Sequence, residues 1–346
     1  MKKNKPIKRI KSTRGKPVGK KAVCLLSGGL DSALAARLVK DQGIEVYCVF
    51  FKTPFFACGE PYAKSIAKRM SMPFKTIELG PKYLEMLRKP AHGYGSALNP
   101  CIDCHIMMLR EALKYARKIG ASFIVTGEVL GQRPKSQQMD ELSLIEKESG
   151  LEGKLLRPLS ARLLPITEAE AKKWVNPDSF PTISGRGRTE QFSLARKMGI
   201  RRFQSPAGGC LLSYREYAAK LRDLLTSSPK ISRIDIELLR VGRHFRHGKC
   251  RIIVGKNEEE NKKLLKTKSK SDYYLEADER IPSPITVVKG SAGPEDIKAA
   301  AMLTAFYSDA KSKKVRIFYG KKKLEHSIVV AVPERSDVEK MRIAWK

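Results

Sequence analysis

The stretch KKAVCLLSGGLDSALAARLVKDQG, residues 20–43, changes its period in mid-course. AVCLLS is apolar with no helical spacing, which suits a strand buried on both faces of a parallel sheet. Ser27, Gly28 and Gly29 then break the run, and DSALAARLVKDQG resumes with Leu34, Leu38 and Val39 on one helical face, closed by Gly43. A buried strand, a glycine turn and a helix, followed by a second apolar strand at IEVYCVFF, predict an α/β fold with a parallel sheet. Such a turn is also an anion cradle. Its backbone N–H groups are unshielded, glycine admits a phosphate closely, and the helix dipole adds positive potential.

Ser27 and Ser32 offer hydroxyls to such an anion, whereas Asp31 is a carboxylate and suits a magnesium-linked or N-capping role. The stretch is neither GxxxxGK[ST] nor GxGxxG. SGGLDS resembles instead the PP-loop signature of the ATP pyrophosphatase superfamily, whose members split ATP to AMP and pyrophosphate while adenylating an oxygen of their substrate. The resemblance implies a PP-loop (adenine nucleotide alpha hydrolase-like) parallel sheet flanked by helices, with ATP and Mg²⁺ as cofactors. It assigns Ser27, Gly28, Gly29, Leu30 and Ser32 to phosphate and Asp31 to magnesium. A later apolar strand, FIVTGEVLGQ, ends in a Gly-containing turn; Phe50 and Gly127 join the nucleotide pocket, with Thr126 and Glu128 as further candidates. Gln132, Arg133 and Lys135 beyond it suit phosphate or RNA, or a solvated polar loop.

NPCIDCHIMMLREALKYARKIG sets Cys101 and Cys104 just ahead of a helix, and QSPAGGCLLS sets Cys210 in a glycine-rich turn. A CxxC is a common way for one segment to give two thiolates to one metal centre, and a third thiolate can close on it. Three thiolates leave one iron of a cubane open to a non-protein ligand. His105 adjoins the pair, which keeps a Cys₃His zinc site as the competing reading. Asp103 is a proton-transfer candidate or a solvent-facing side chain. Cys24 and Cys48 read as buried strand residues, Cys250 as a strand residue of the later region, and Cys58 as a helix-opening thiol of lowered pKa.

Taken together, SGGLDS, NPCIDC and the distant GGC resemble the tRNA thiouridine synthetase branch of the PP-loop superfamily over roughly residues 20–215. That resemblance implies an ATP-dependent tRNA sulfurtransferase, which adenylates a uridine carbonyl and replaces its oxygen with sulfur. Its catalytic residues would be Asp31, Cys101, Cys104 and Cys210, with a [4Fe-4S] cluster on the three cysteines, or a persulfide on one of them, carrying the sulfur. The sulfur donor would be sulfide or a cysteine desulfurase persulfide.

The net charge of +32, from 68 Lys and Arg against 36 Asp and Glu, points to a polyanion such as RNA. No apolar run is long enough for a transmembrane helix and the N-terminus has no secretory h-region, so the expectation is a cytoplasmic protein with reduced thiols and no membrane partner. Three segments are predicted: a basic disordered arm over 1–18, the PP-loop domain over 19–210, and a smaller α/β RNA-binding domain over 211–346. In the first of the two domains, TEAEAKKW reads as a helix with a Thr167–Glu170 capping box, and the basic segment ISGRGRTEQ offers Arg186 and Arg188 to tRNA. In the second, Arg240, Arg243, His244, Arg246, His247 and Lys249 cluster beside CRIIVG, with Phe245 placed to stack on a base. VGRHFR with IIVGKNEEEN resembles the NFACT RNA-binding domain over roughly 211–310.

With the PP-loop beginning near residue 27, the ferredoxin-like and THUMP domains usual in 4-thiouridine synthetases are not expected, and RNA capture falls to the C-terminal domain. Two other functions compete: an amidating PP-loop ligase of the lysidine type, which needs no thiols, and a non-catalytic RNA-binding adaptor, which needs no intact SGGLDS. The modified uridine and the oligomeric state, a homodimer included, are left open.

Overall fold

The computed structural model describes residues 19–55, 59–204 and 210–345. The basic arm, Cys58 and the glycines ahead of Cys210 lie outside these residues. The chain divides into two compact units, one of Met1–Gly93 with Pro100–Gly209, the other of Tyr94–Asn99 with Cys210–Lys346. The sequence-based division has no place for Tyr94–Asn99, which splits off from the chain around it.

The first unit has five parallel strands in the order β3-β2-β1-β4-β5. They are β1 (Lys21–Leu25), β2 (Glu45–Lys52), β3 (Phe74–Glu78), β4 (Phe123–Val125) and β5 (Leu155–Leu156). The helices are α1 (Leu30–Asp41), α2 (Gly59–Arg69), α3 (Pro81–Arg88), α4 (Cys101–Ile119), α5 (Met139–Glu148), α6 (Glu168–Ala171) and α7 (Thr189–Lys197). The chain winds outward from β1 to β3 and then returns to β4 on β1's other side, so the order reverses between β1 and β4. In open α/β sheets that reversal opens a crevice at the carboxyl ends of the strands. α1 lies close to the sheet because Ala33, Ala35 and Ala36 are fully buried, and its buried Leu30 and Leu34 contribute about 1.5–3 kcal/mol each. α4 buries Cys104, Ile106, Leu109, Ala112 and Ala116, a stripe at helical spacing, and ends at Gly120 with φ +68°. At α6 the Thr167 amide donates to the Glu170 carboxylate at 2.8 Å, as the capping box predicts.

The second unit is an antiparallel sheet ordered β11-β10-β8-β9-β7-β6. Its strands are β6 (Arg243–His247), β7 (Cys250–Val254), β8 (Tyr273–Ala277), β9 (Thr286–Lys289), β10 (Lys314–Gly320) and β11 (His326–Ala331). Its helices are α8 (Arg215–Ser227), α9 (Arg233–Leu238), α10 (Glu258–Thr267), α11 (Pro294–Phe306) and α12 (Arg335–Met341). One sheet face carries Phe245, Ile252, Leu275, Val288 and Ile317 against the small residues of α11. Among the described residues no helix is long and apolar enough to cross a membrane.

Candidate active site

The turn after β1 is shaped by close backbone approach. Gly28 has φ +86°, and a Cβ there would stand 2.5 Å from the Gly59 carbonyl oxygen, so both conformation and space require glycine. Ser32 braces the turn from within: its Oγ accepts from the Ser27 amide at 3.2 Å and donates to the Gly29 carbonyl at 3.0 Å. Ser32, expected to donate to phosphate, here donates its proton within the turn. Gly29 is the N-cap of α1 and no side chain caps the helix, so its first-turn amides and dipole serve the turn's mouth. The Leu30 side chain is fully buried, which leaves only its backbone to a ligand.

β4 delivers Gly127 directly onto this turn. A Cβ on Gly127 would stand 2.4 Å from the Ser32 amide nitrogen and 2.6 Å from the Asp31 carbonyl carbon. Phe50 is buried and forms the wall behind the turn, where a Cβ on Gly59 would meet its ring at 2.9 Å.

Asp31 does not cap the helix. Its carboxylate accepts from Arg188 Nη2 at 3.1 and 3.2 Å and from Gln132 Nε2 at 3.2 Å. Arg188 reaches it because Leu130 and Ser184 form a parallel bridge and the Gly185 amide donates to the Leu130 carbonyl at 2.7 Å. The SGRGR segment is thereby laid along the chain leaving β4. Arg188 was expected on tRNA; the structure puts it over the phosphate turn, its Nε buried with no hydrogen-bond partner, while Arg186 is exposed.

Cys101 and Cys104 occupy the first turn of α4, and their spacing puts both thiols on one helical face. Cys101 is half-buried; Cys104 is buried, with its Sγ 3.4 Å from Tyr83 Oη. Asp103 between them is not solvent-facing. It is buried and accepts from the Ala91 and His92 amides at 2.9 and 3.1 Å, tying down the preceding loop. A groove of about 780 Å³ runs along α3 and α4 past Tyr83, Met86, Asp103 and Met107, and includes no residue of the turn.

The thiol-bearing helix and the phosphate turn meet through Glu128. His105, next to Cys104, has Nδ1 2.7 Å from Glu128 Oε1, and Glu128 follows Gly127. Glu128 Oε2 accepts from Thr126 Oγ1 at 2.9 Å and Arg157 Nε at 3.1 Å, and Arg157 Nη1 donates to Glu146 at 2.7 Å. Burial pushes the Glu128 carboxyl up, but Arg157, His105 and Thr126 overcome it and hold it at about 2. The sequence reading missed Arg157. Its signal was a guanidinium inside the apolar run KLLRPL, which cannot be buried without a carboxylate.

Cys24 and Cys48 face each other across β1 and β2, and burial raises both thiols, Cys48 to about 12, which makes them poor nucleophiles. Cys210 opens the 3₁₀ turn Leu211–Ser213 in the second unit, half-buried. Within that unit the Leu98 amide donates to the Leu212 carbonyl at 3.1 Å. Among the described residues no three His, Cys, Asp or Glu side chains already surround a metal-sized point.

The basic cluster of the second unit is a strand, not a loop. His244 is buried, with Nε2 2.9 Å from the Val241 carbonyl, and burial holds its pKa well below the usual value. Phe245 is fully buried in the core, so neither it nor His244 meets RNA. Arg246 pairs with Asp223, and Arg243 lies 4.5 Å over the Tyr307 ring and donates to the Gly255 carbonyl at 3.1 Å. Arg240 and Lys249 are exposed.

Two family models match the chain: "Thiamine biosynthesis protein (ThiI)" over residues 17–162 and "NFACT protein RNA binding domain" over residues 242–342. The second match reaches β10 and β11, beyond the span read from sequence. A probable tRNA sulfurtransferase of Methanosarcina acetivorans is 33% identical over 140 residues, covering 36% of this chain and 31% of that protein. A tRNA-specific 2-thiouridylase MnmA of Sulfurimonas denitrificans is 31% identical over 121 residues, 33% of this chain and 36% of that protein. The chain thus spans about a third of the length of these curated relatives. A 4-thiouridine synthetase solved with RNA and ATP aligns with a TM-score of 0.35 and 23% identity, covering 53% of this chain and 52% of that one. The chain is therefore similar to the ThiI family over its parallel-sheet unit and to the NFACT RNA-binding domain over its antiparallel sheet.

Proposed function

We propose that the chain is an ATP-dependent tRNA sulfurtransferase, acting at the crevice between β1 and β4. The observation that carries this reading is Glu128, which ties the Cys101–Cys104 helix to the strand end packed on the phosphate turn. An adenylating centre and a thiol pair on one rigid element suit a reaction that activates an oxygen and then displaces it. In the reaction, the uridine carbonyl oxygen attacks the α-phosphorus of ATP and pyrophosphate leaves. Hydrosulfide, supplied by the sulfur donor, then attacks the same carbon, and AMP leaves carrying the oxygen.

The turn amides and Ser27 bind the phosphates, with Ser32 bracing them and Gly127 fixing the turn's depth. A carboxylate at the mouth of an amide-lined turn suits a hard cation, so Asp31 would hold Mg²⁺, whose charge offsets that developing on pyrophosphate. The thiol set suits an iron–sulfur centre: Cys101 and Cys104 share one helical face, and Cys210 is half-buried at a turn. A [4Fe-4S] cluster on these three thiolates would supply an open coordination position for the sulfur to be transferred. His105, held at Nδ1 by Glu128, orients the α4 end that carries the pair.

Mass spectrometry of tRNA nucleosides from cells with and without the gene tests the proposal. Loss of one thiolated uridine is the expected result; an unchanged thionucleoside profile overturns it and moves the reading to an amidating ligase.

A further inference from the structure

The residues read from sequence as the RNA contact of the second unit are largely committed elsewhere, so the unit's charge must act from another surface. The sheet's second face is covered only in part. α9 and α10 bury it over β7 and β9, where Leu238 and Leu264 pack with Ile253, Ile285 and Val287, and Tyr274 closes the edge of that cluster. Beyond β8 the described residues leave it open. Lys314, Arg316 and Phe318 alternate along β10 on this face, as the buried Val315 and Ile317 between them point to the opposite core. The register sets Arg316 beside Val329 and Phe318 between Ser327 and Glu276. Lys314, Arg316 and Ser327 are exposed, Phe318 is half-buried, and Val329 is 56% exposed on the outer strand β11. Two exposed lysines, Lys322 and Lys323, lie in the β10–β11 turn at the end of the same strip.

An open sheet with a half-exposed phenylalanine, flanking cations and an unpaired outer strand invites aggregation unless something occupies it. Its chemistry selects the occupant. An aromatic ring on a pleated surface offers a base a stacking partner, and Lys or Arg two residues away reaches the adjoining phosphate. Glu276 and Glu325 are outnumbered there by Lys314, Arg316, Lys322 and Lys323, while Lys321 turns to the other face, over the Tyr273 ring. We propose that the open β8–β10–β11 face seats a single-stranded RNA segment, with Phe318 stacking a base and Lys314 and Arg316 contacting phosphates. The proposal rests on reading the chain as a tRNA-modifying enzyme and adds which surface captures the RNA.

The test is fluorescence anisotropy of the full chain with a labelled oligouridylate, and separately with an RNA duplex of equal length. Phe318→Ala should weaken oligouridylate binding by about tenfold or more with the salt slope unchanged. The pair Lys314→Gln and Arg316→Gln should weaken it and make the log–log salt slope shallower by about 1.4. Val329→Glu, at an exposed position that folding does not need, should abolish it, while Lys64→Gln with Lys68→Gln on α2 should act only weakly. Wild-type binding that none of the face variants alters overturns the proposal, as does preference for the duplex or failure to bind either probe. Nucleoside analysis of the same variants separates this from the catalytic reading: thiolation persisting with the RNA face refuted leaves the sulfurtransferase intact.

Discussion

The guanidinium of Arg188 lies 3.1 Å from the Asp31 carboxylate, joining residues 157 positions apart at the mouth of the phosphate turn. The contact holds a cation against the carboxylate assigned to magnesium, and the buried Arg188 Nε beside it has no partner. On the proposed reading, an arriving triphosphate would offer Arg188 oxygen acceptors and release Asp31 to a metal. Arg188→Ala should therefore lower kcat/KM for ATP by about a hundredfold, the effect of removing one preorganised donor from developing charge. Arg188→Lys should recover little, because an ammonium cannot reproduce the planar fork. Pyrophosphate release measured against ATP concentration checks both.

Gly127→Ala should damage the same turn from the opposite side. The added methyl would stand 2.4 Å from the Ser32 amide nitrogen, and its neighbours there are backbone atoms that cannot swing aside. Overpacking of this kind costs about 1–3 kcal/mol, visible as a lowered melting temperature. Because the displaced atoms belong to the turn proposed to hold the phosphates, equilibrium ATP binding should fall further than the melt alone explains. Gly28→Ala should be at least as severe, since it adds left-handed strain to a clash with Gly59.

Much of this site was legible from residues 20–43, because period and glycine placement dictate local geometry: strand, turn and helix formed where the pattern put them. Cysteine burial in β1 and β2 was legible for the same reason. What failed was partner choice. Arg188 and Arg246 look alike in a sequence rich in arginine, yet one lies on Asp31 and the other on Asp223, and no local signal separates them. His244 and Phe245 are both buried between the partly exposed Arg243 and Arg246 of β6, so both faces of this strand are covered, and its basic flanks disguised it as a loop. Tyr94–Asn99 carries no composition shift to announce that it leaves its neighbours for the second unit.

Acid should loosen the first unit through Glu128. Its folded carboxyl sits at about 2 against an ordinary 4.5. A depressed carboxyl means the unfolded chain binds the proton more tightly. The stabilisation is therefore complete above about pH 4.5 and is lost as pH falls toward 2, amounting to about 3 kcal/mol. Glu128→Gln should flatten that acid limb in pH-dependent denaturant melts. At neutral pH it should destabilise the unit, because Arg157 keeps only Glu146 as its carboxylate.

Iron content tests the proposed cluster thiol by thiol. Cys101→Ser, Cys104→Ser and Cys210→Ser should each reduce iron after anaerobic reconstitution from about four per chain to near zero, with loss of the brown chromophore. Cys24→Ala and Cys48→Ala should retain it, since both thiols are buried in the sheet and raised by that burial. Melting curves for the buried pair should fall modestly, as removal of a small apolar group predicts. ATP binding by the three serine variants should stay near wild type, because the turn amides do not depend on the thiols. Full iron loading of Cys210→Ser would exclude the second unit's thiol from the centre. A zinc stoichiometry of one with no iron would instead favour a tetrahedral site completed by His105, whose Nδ1 is already held by Glu128 and whose Nε2 is the remaining ring nitrogen.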